Sequence, residues 1–516
     1  MPLPAPHTPW PPAPIRAALQ QVSSDSAWLE GDVARFSHLT TNPIGTPSSP
    51  RGGLLGALAG TTGGPSRHPG TAGAITDLHL PMPYRMATAS ADLLVGTPPG
   101  FTLHESERGN EKAVEFLNRL TTTDEFAADL HRSFTYSAGL GWTFGRVVWN
   151  AAVQPDPWID WVDADQGWAE WQYGRVSAIT FWTELPDPDG KDRVRWRSLE
   201  RHEIGMISYG LYKGSDLDLG VRVPLTAHPE TEHLHEPTHG SGLLKTGVNT
   251  PTAVLLPNTE GNPRWRKSPQ LRKLGISDIQ KGGTVWGVID RIWGETVREL
   301  DAARARLLVS EELLDDDGPG RGQSFDMGRD VFGLGQGASP EAMIEKVQFD
   351  FRIEKFEQAL DMAKSEALQA VGLSALTVGM ESPGAAMTAT EIEAKSTATM
   401  NTWAGKARLA RSGLSTLATG AVAVHAGIHG YTPPERPVDV SMQDPIQETE
   451  LDRTQAARNL REARAASTRY LVRRLHPEWT PEQVDEEVAE IRTEEGPTDP
   501  FILPPDSAPA EGFPVP

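Results

Sequence analysis

The sequence predicts an α+β protein: short helices and an antiparallel sheet first, then two long helices, then a helical C-terminal part. Three observations predict it. Residues 142–225 alternate aromatic and polar side chains between regular turn signals. Apolar residues recur at spacings of three and four over 277–314 and again over 353–371. A third helical stretch opens at Thr388 and reaches about His425.

The elements follow in order. Residues 2–14 are proline-rich and 43–73 are dense in Gly, Pro, Ser and Thr, with a helical island at 15–22. Such composition buries little apolar surface, so 1–79 is expected to be a flexible arm. Residues 84–94 are rich in helix formers and stop before Gly96, and 111–120 and 123–140 continue the helical pattern. Thr123 is placed to cap, and Phe126, Leu130 and Phe134 share one face.

Trp142, Phe144, Val147 and Trp149 open the sheet region, followed by runs at 158–162, 176–182, 194–197 and 204–212. The turn Pro186-Asp187-Pro188-Asp189-Gly190 divides it, and the pattern reads as one twisted meander. Eight of the fifteen Trp lie between Trp142 and Trp196, where large rings fill a core. A short strand is expected at 253–256.

A single helix is then predicted over 277–314. Its apolar face holds Val285, Val288, Ile289, Ile292, Trp293, Leu300, Ala303 and Leu307, with Asp290, Arg291, Glu295, Arg298 and Glu299 opposite. Residues 314–340 are a Gly- and Asp-rich break with one strand near Val331 and Phe332, and 342–351 read as extended. The helix at 353–371 turns Phe356, Leu360, Ala363 and Leu368 inward. A loop at 379–384 precedes the third helix, whose Thr388 and Glu391 suit a capping box. Residues 438–440 are β-like, 448–475 helical, and a last helix starts at Thr480-Pro481. Residues 497–516 are expected to be disordered.

Composition excludes several classes of function. With no Cys there is no disulfide framework, thiolate metal site or thiol catalysis, which fits a reducing cytoplasm. No Lys or Arg precedes Arg16 and no apolar stretch opens the chain, so no secretory leader is expected. No apolar run is long enough to span a membrane. The formal net charge of −21 opposes wholesale binding to nucleic acid.

Motifs for chemistry fail on inspection. His235-Glu236-Pro237-Thr238-His239 is a literal HExxH, whose zinc chemistry needs both His on one helical face. Pro237 opposes that helix, so a polar loop is the reading and a metallohydrolase the discarded alternative. Asp187–Gly190 and the run at 315–318 lack calcium-loop spacing, and no phosphate-binding lysine loop or nucleophile elbow occurs. No catalytic residue, metal or cofactor is expected. Arg453, Arg458, Arg461, Arg464, Arg469, Arg473 and Arg474 crowd one stretch, either paired with acids such as Asp485 or facing DNA phosphate.

The order of elements is informative in itself: helices and sheet, long helix, Gly-rich excursion, returning helix, loop, long helix, helical end. In these features the chain resembles the portal proteins of long-tailed bacteriophages. The resemblance rests on residues 84–96, the Trp-rich meander, the sequence from Leu256-Pro257-Asn258 through Gly275-Ile276-Ser277-Asp278 to Ile289-Asp290-Arg291, and residues 382–392. It implies a wing at 80–276 with the helix 388–428, and a stem of 277–312 and 353–372. It further implies a clip at 313–352, a tunnel loop at 373–387 and a crown at 447–496.

The stem contacts between subunits would be Val285, Ile289, Ile292, Trp293, Leu300, Phe356 and Leu360, with Trp286 beside them. The tunnel loop would present Met380, Glu381, Ser382, Pro383 and Gly384, and the crown Arg458, Arg461, Arg464 and Arg469. The family implies a dodecameric ring at one capsid vertex, through which double-stranded DNA is packaged and ejected. Its partners would be the major capsid and scaffolding proteins, the large terminase and a head-completion adaptor. The setting would be the virion, and the host cytoplasm during assembly. Another virion scaffold or adaptor is the alternative.

Overall fold

The structure, a computed structural model, describes residues 3–35, 78–188, 190, 194–302, 306–310, 331–334, 344–347, 352–375, 378, 389–443, 450–476 and 481–494. Residues 1–443 form one compact unit and 444–516 a second. Short helices lead, a run of mainly antiparallel strands fills Trp142 to Pro257, and long helices follow, the segregated order of an α+β chain. No described helix is long and apolar enough to cross a membrane.

The N-terminal segment corrects the sequence reading. Helix α1 (Ala13–Glu30) buries Ile15, Ala18 and Val22 at helical spacing, and ends at Gly31 in the left-handed region. Before it, Trp10 sets its ring edge-on to Trp168 and Trp182, and Tyr212 donates its hydroxyl proton to the Pro4 carbonyl at 2.7 Å. Pro in the first turn starts this helix because that position needs no N–H donor. Leu3, Trp10, Ile15, Ala18 and Val22 are thus part of the core, while 36–77 lie outside the described residues.

Helices α2 (Met82–Val95), α3 (Glu111–Thr121) and α4 (Asp124–Leu140) follow. Thr123 caps α4 by accepting from Phe126 N, and Phe126, Leu130 and Phe134 are buried as their spacing predicts. The strands between Trp142 and Pro257 form two sheets rather than one meander. In the first, β2 (Trp142–Val148) lies between β3 (Trp158–Val162) and β10 (Ala253–Pro257), all antiparallel, with Phe144 opposite both Val162 and Leu255. In the second, β4 (Gly167–Gln172), β5 (Arg175–Leu185), β6 (Arg195–Glu203), β7 (Met206–Gly214) and β8 (Val221–Val223) run in sequence order, with β9 (Leu243–Lys245) also on β7. Tertiary pairing with β10 is what draws β2 and β3 away from the meander.

The predicted helix over 277–314 is also corrected. It is a short α5 (Asp278–Gly282), a break, α6 (Val285–Ala302), and then strand β11 (Arg306–Ser310). Gly283 adopts φ +55°, which ends α5 at little steric cost. The run Leu307-Leu308-Val309 pairs as a strand, parallel to β12 (Val331–Leu334) and antiparallel to β13 (Ile344–Val347). Leu307 therefore belongs to no helical face. Helix α7 (Ile353–Val371) returns along α6.

Helix α8 (Ala389–His429) crosses the first sheet. Ala407, Ala410, Leu414, Leu417, Ala418, Ala421 and Val422 are buried there, small residues that let the backbones approach. A Cβ at Gly420 would lie 2.6 Å from the Pro251 carbonyl oxygen. The chain closes the unit with β14 (Asp439–Ser441), paired to β1 (Gly100–Thr102). Thr388, Glu391's side chain and residues 497–516 lie outside the described residues.

In the second unit the predicted helix at 448–475 is two, α9 (Glu450–Glu462) and α10 (Thr468–Leu475), followed by α11 (Pro481–Glu494). Ser467 caps α10, and Val472, Val484 and Val488 make a small core.

Candidate oligomerisation surface

The root of α5 and α6 is built from buried polar contacts. Ser277 caps α5 by accepting from Gln280 N at 2.8 Å, and donates its own proton to Asp25 Oδ2 of α1 at 2.7 Å. Burial pushes the Asp25 carboxyl up to about 7 against the hydrogen bonds from Ser277 and Gln21. Asp278 receives Lys406 Nζ of α8 at 2.6 Å, Lys281 Nζ at 3.0 Å and Asn258 Nδ2 at 2.9 Å. Burial opposes its ionisation, yet the Lys406 and Lys281 ammonium groups outweigh it and hold the carboxyl down to about 2. Lys406 also donates to Ser90 Oγ of α2, so four segments meet at one ion pair.

Above this root an apolar cluster clamps the paired helices. Trp286 is 1% exposed and donates Nε1–H to the Ile279 carbonyl at 2.8 Å. With Ile289 it packs among Trp28, Met82, Met86, Ala367, Leu368 and Val371. Asp290, assigned to the solvent side by periodicity, instead turns inward to His79 Nδ1 (2.8 Å) and Leu80 N (2.9 Å).

Past Asp290, no residue of 291–300 is fully buried. Leu300 is 56% exposed on α6, and Ile353 and Met362 are 41% and 75% exposed on α7. Val288 is exposed nearer the root. At the far end Arg352 grips both carboxylate oxygens of Glu299, at 2.9 and 3.2 Å, joining the start of α7 to the end of α6. That hydrogen-bonded pair holds the Glu299 carboxyl below its usual range.

The residues expected at subunit contacts therefore divide. Ile289 and Trp286 are satisfied inside the chain, and Val285 and Leu360 flank the same cluster half-buried. Ile292, Trp293 and Phe356 are half-buried, and Leu300 is exposed. Met380, Glu381, Ser382, Pro383 and Gly384 lie outside the described residues.

The arginine-rich segment is partly neutralised within its own unit. Arg458 pairs with Glu462 and Arg469 with Asp485, each at 2.9 Å and exposed. Arg464 adopts φ +50° where α9 ends, its N–H donating to the Arg461 carbonyl at 3.0 Å.

His235 and His239 lie in consecutive turns, not on a helix, and His239 has φ +48°. The zincin arrangement is absent from them. Among the described residues, the group whose ligating atoms do converge is Asp156, His425 and His429. Sequence reading missed it, although the His-x-x-x-His spacing was visible where the predicted third helix ends.

No protein-family model matches the chain, and no curated protein does. Among solved structures it is similar to a chain in the virion of a native gene transfer agent particle, at 11% identity and TM-score 0.38, over 78% of this chain and 90% of that one. A chain in the neck of the empty particle, computed with C6 symmetry, gives 14% and 0.37 over 77% and 90%. One in the neck of the native particle, computed with C12 symmetry, gives 16% and 0.35 over 82% and 97%. Likeness at this level leaves function to be argued from the chain's own residues.

Proposed function

We propose that this chain is a subunit of a closed homo-oligomeric ring, the portal of a tailed-phage capsid, with no catalysis of its own. One observation carries the reading. The α6–α7 pair is anchored at its root and carries exposed Leu300, Ile353 and Met362 beyond it. Apolar side chains on paired helices find cover when neighbouring copies stand side by side around a channel.

On this reading residues 80–276 with 388–428 form the wing, and 277–312 with 353–372 the stem. Residues 313–352 form the clip, 373–387 the tunnel loop and 447–496 the crown. Twelve copies would carry about −250 in formal charge, which repels DNA and suits a conduit that must release its cargo. Double-stranded DNA passes the channel; terminase, an adaptor, and capsid and scaffolding proteins dock on the ring. Arg464 is the stronger candidate to meet phosphate, since Arg458 and Arg469 already hold carboxylates.

Sedimentation of Trp293→Asp and Leu300→Asp tests the reading. A charge at either position should leave a folded subunit that no longer assembles. Full-size assemblies from both variants would remove the stem surface from the proposal.

A further inference from the structure

The C-terminal end of α8 carries two histidines one turn apart, and both ring edges meet a carboxylate from a distant loop. His429 Nε2 lies 3.1 Å and His425 Nε2 3.3 Å from the same oxygen, Asp156 Oδ1. All three ligating atoms fall within 4.8 Å of one another. Bonds of about 2.0 Å at tetrahedral angles separate neighbouring ligand atoms by roughly 3.3 Å, so both separations are those of a zinc edge. We propose that Asp156, His425 and His429 bind one divalent transition-metal ion of the zinc type, with water as fourth ligand.

The surroundings are those of a built site. Asp156 Oδ2 is held by Arg119 of α3 at 3.0 Å, which leaves Oδ1 to face the imidazoles. His425 Nδ1 lies 2.8 Å from the Tyr431 hydroxyl. When Nδ1 carries the proton it donates to that oxygen, and Nε2 keeps its lone pair for a metal. Phe116 stacks on the His425 ring at 4.0 Å and 10°, fixing its plane. The loop that presents Asp156 is ordered by its own contacts, with Trp149 Nε1 donating to the Pro155 carbonyl at 3.0 Å. His425 and His429 also lie in the last turns of a 41-residue helix, where the dipole favours a cation.

His425 is buried while His429 is more than one-third exposed, so an ion has a path from solvent. The bound ion would staple the β2–β3 loop and α3 to the end of α8. That role is structural and independent of whether the chain forms a ring.

The competing account is that both imidazoles simply share Asp156 Oδ1 as hydrogen-bond donors. Cobalt(II) added to the full chain, freed of metal by chelator, separates the two. The site should give the visible absorption of low-coordinate cobalt at one equivalent, displaced by zinc. His429→Gln, a substitution at the more exposed position, should abolish that band with the circular dichroism unchanged. Tyr431→Phe should weaken zinc binding about tenfold. His235→Ala should change neither result. A band that survives in His429→Gln, or no band in the parent protein, overturns the proposal.

Discussion

Lys406 Nζ lies 2.6 Å from Asp278 Oδ2, with both side chains sealed from solvent, and this pair joins the long helix α8 to the first turn of α5. That contact and the cluster around Trp286 tie the α6–α7 pair to α1, α2 and α8.

Lys406→Met should cost roughly 3–5 kcal/mol, because Asp278 sits in a dry site with Lys281 as its one remaining cation and Asn258 as its other donor. Adding Asp278→Asn should recover part of the loss, with a coupling of about 1–3 kcal/mol in a urea double-mutant cycle. Additive losses would mean the pair is not coupled. Since the Asp278 carboxyl is held down to about 2, its contribution is present above the ordinary carboxylate range and lost as pH falls through about 2.

Asp25 predicts the opposite slope. Its carboxyl is raised to about 7, so the native state binds the proton that the unfolded chain has lost between about pH 4 and 7. Stability from this group is full below that window and declines through it, by up to ~4 kcal/mol. Asp25→Asn should flatten the Tm-against-pH curve there and exceed the parent above pH 7. An unchanged slope would refute this assignment.

Trp286→Ala should destabilise the subunit by about 3–5 kcal/mol, as expected of a fully buried ring. Met362→Glu should stay within about 0.5 kcal/mol of the parent in the same denaturation experiment, because its side chain touches solvent. The contrast separates residues that hold the subunit together from those free for a neighbour.

Arg458→Ala and Arg469→Ala should each cost under about 1 kcal/mol, since both pairs are exposed. If Arg464 meets phosphate, Arg464→Ala should lower the salt slope of DNA binding by about one. An unchanged slope would leave the arginine segment a solvated surface.

Local signals were legible in the sequence and tertiary ones were not. The Thr123 cap and the Phe126–Leu130–Phe134 face follow from residues within one helix, and both stand in the structure. Proline-rich composition left the helical island at 15–22 in a flexible arm, because only burial against Trp168 and its neighbours makes Ile15, Ala18 and Val22 worth ordering. Helical periodicity ran on past Ala302, where a strand partner overrides it. The meeting of Asp156 with His429 spans 273 residues, and no local pattern encodes such a contact.

The central claim is that copies of this chain close around a hole. Electron microscopy of the purified protein tests it most directly: the account predicts closed rings of about twelve subunits with a central channel. Dispersed 56.1 kDa monomers at every concentration and salt would contradict it.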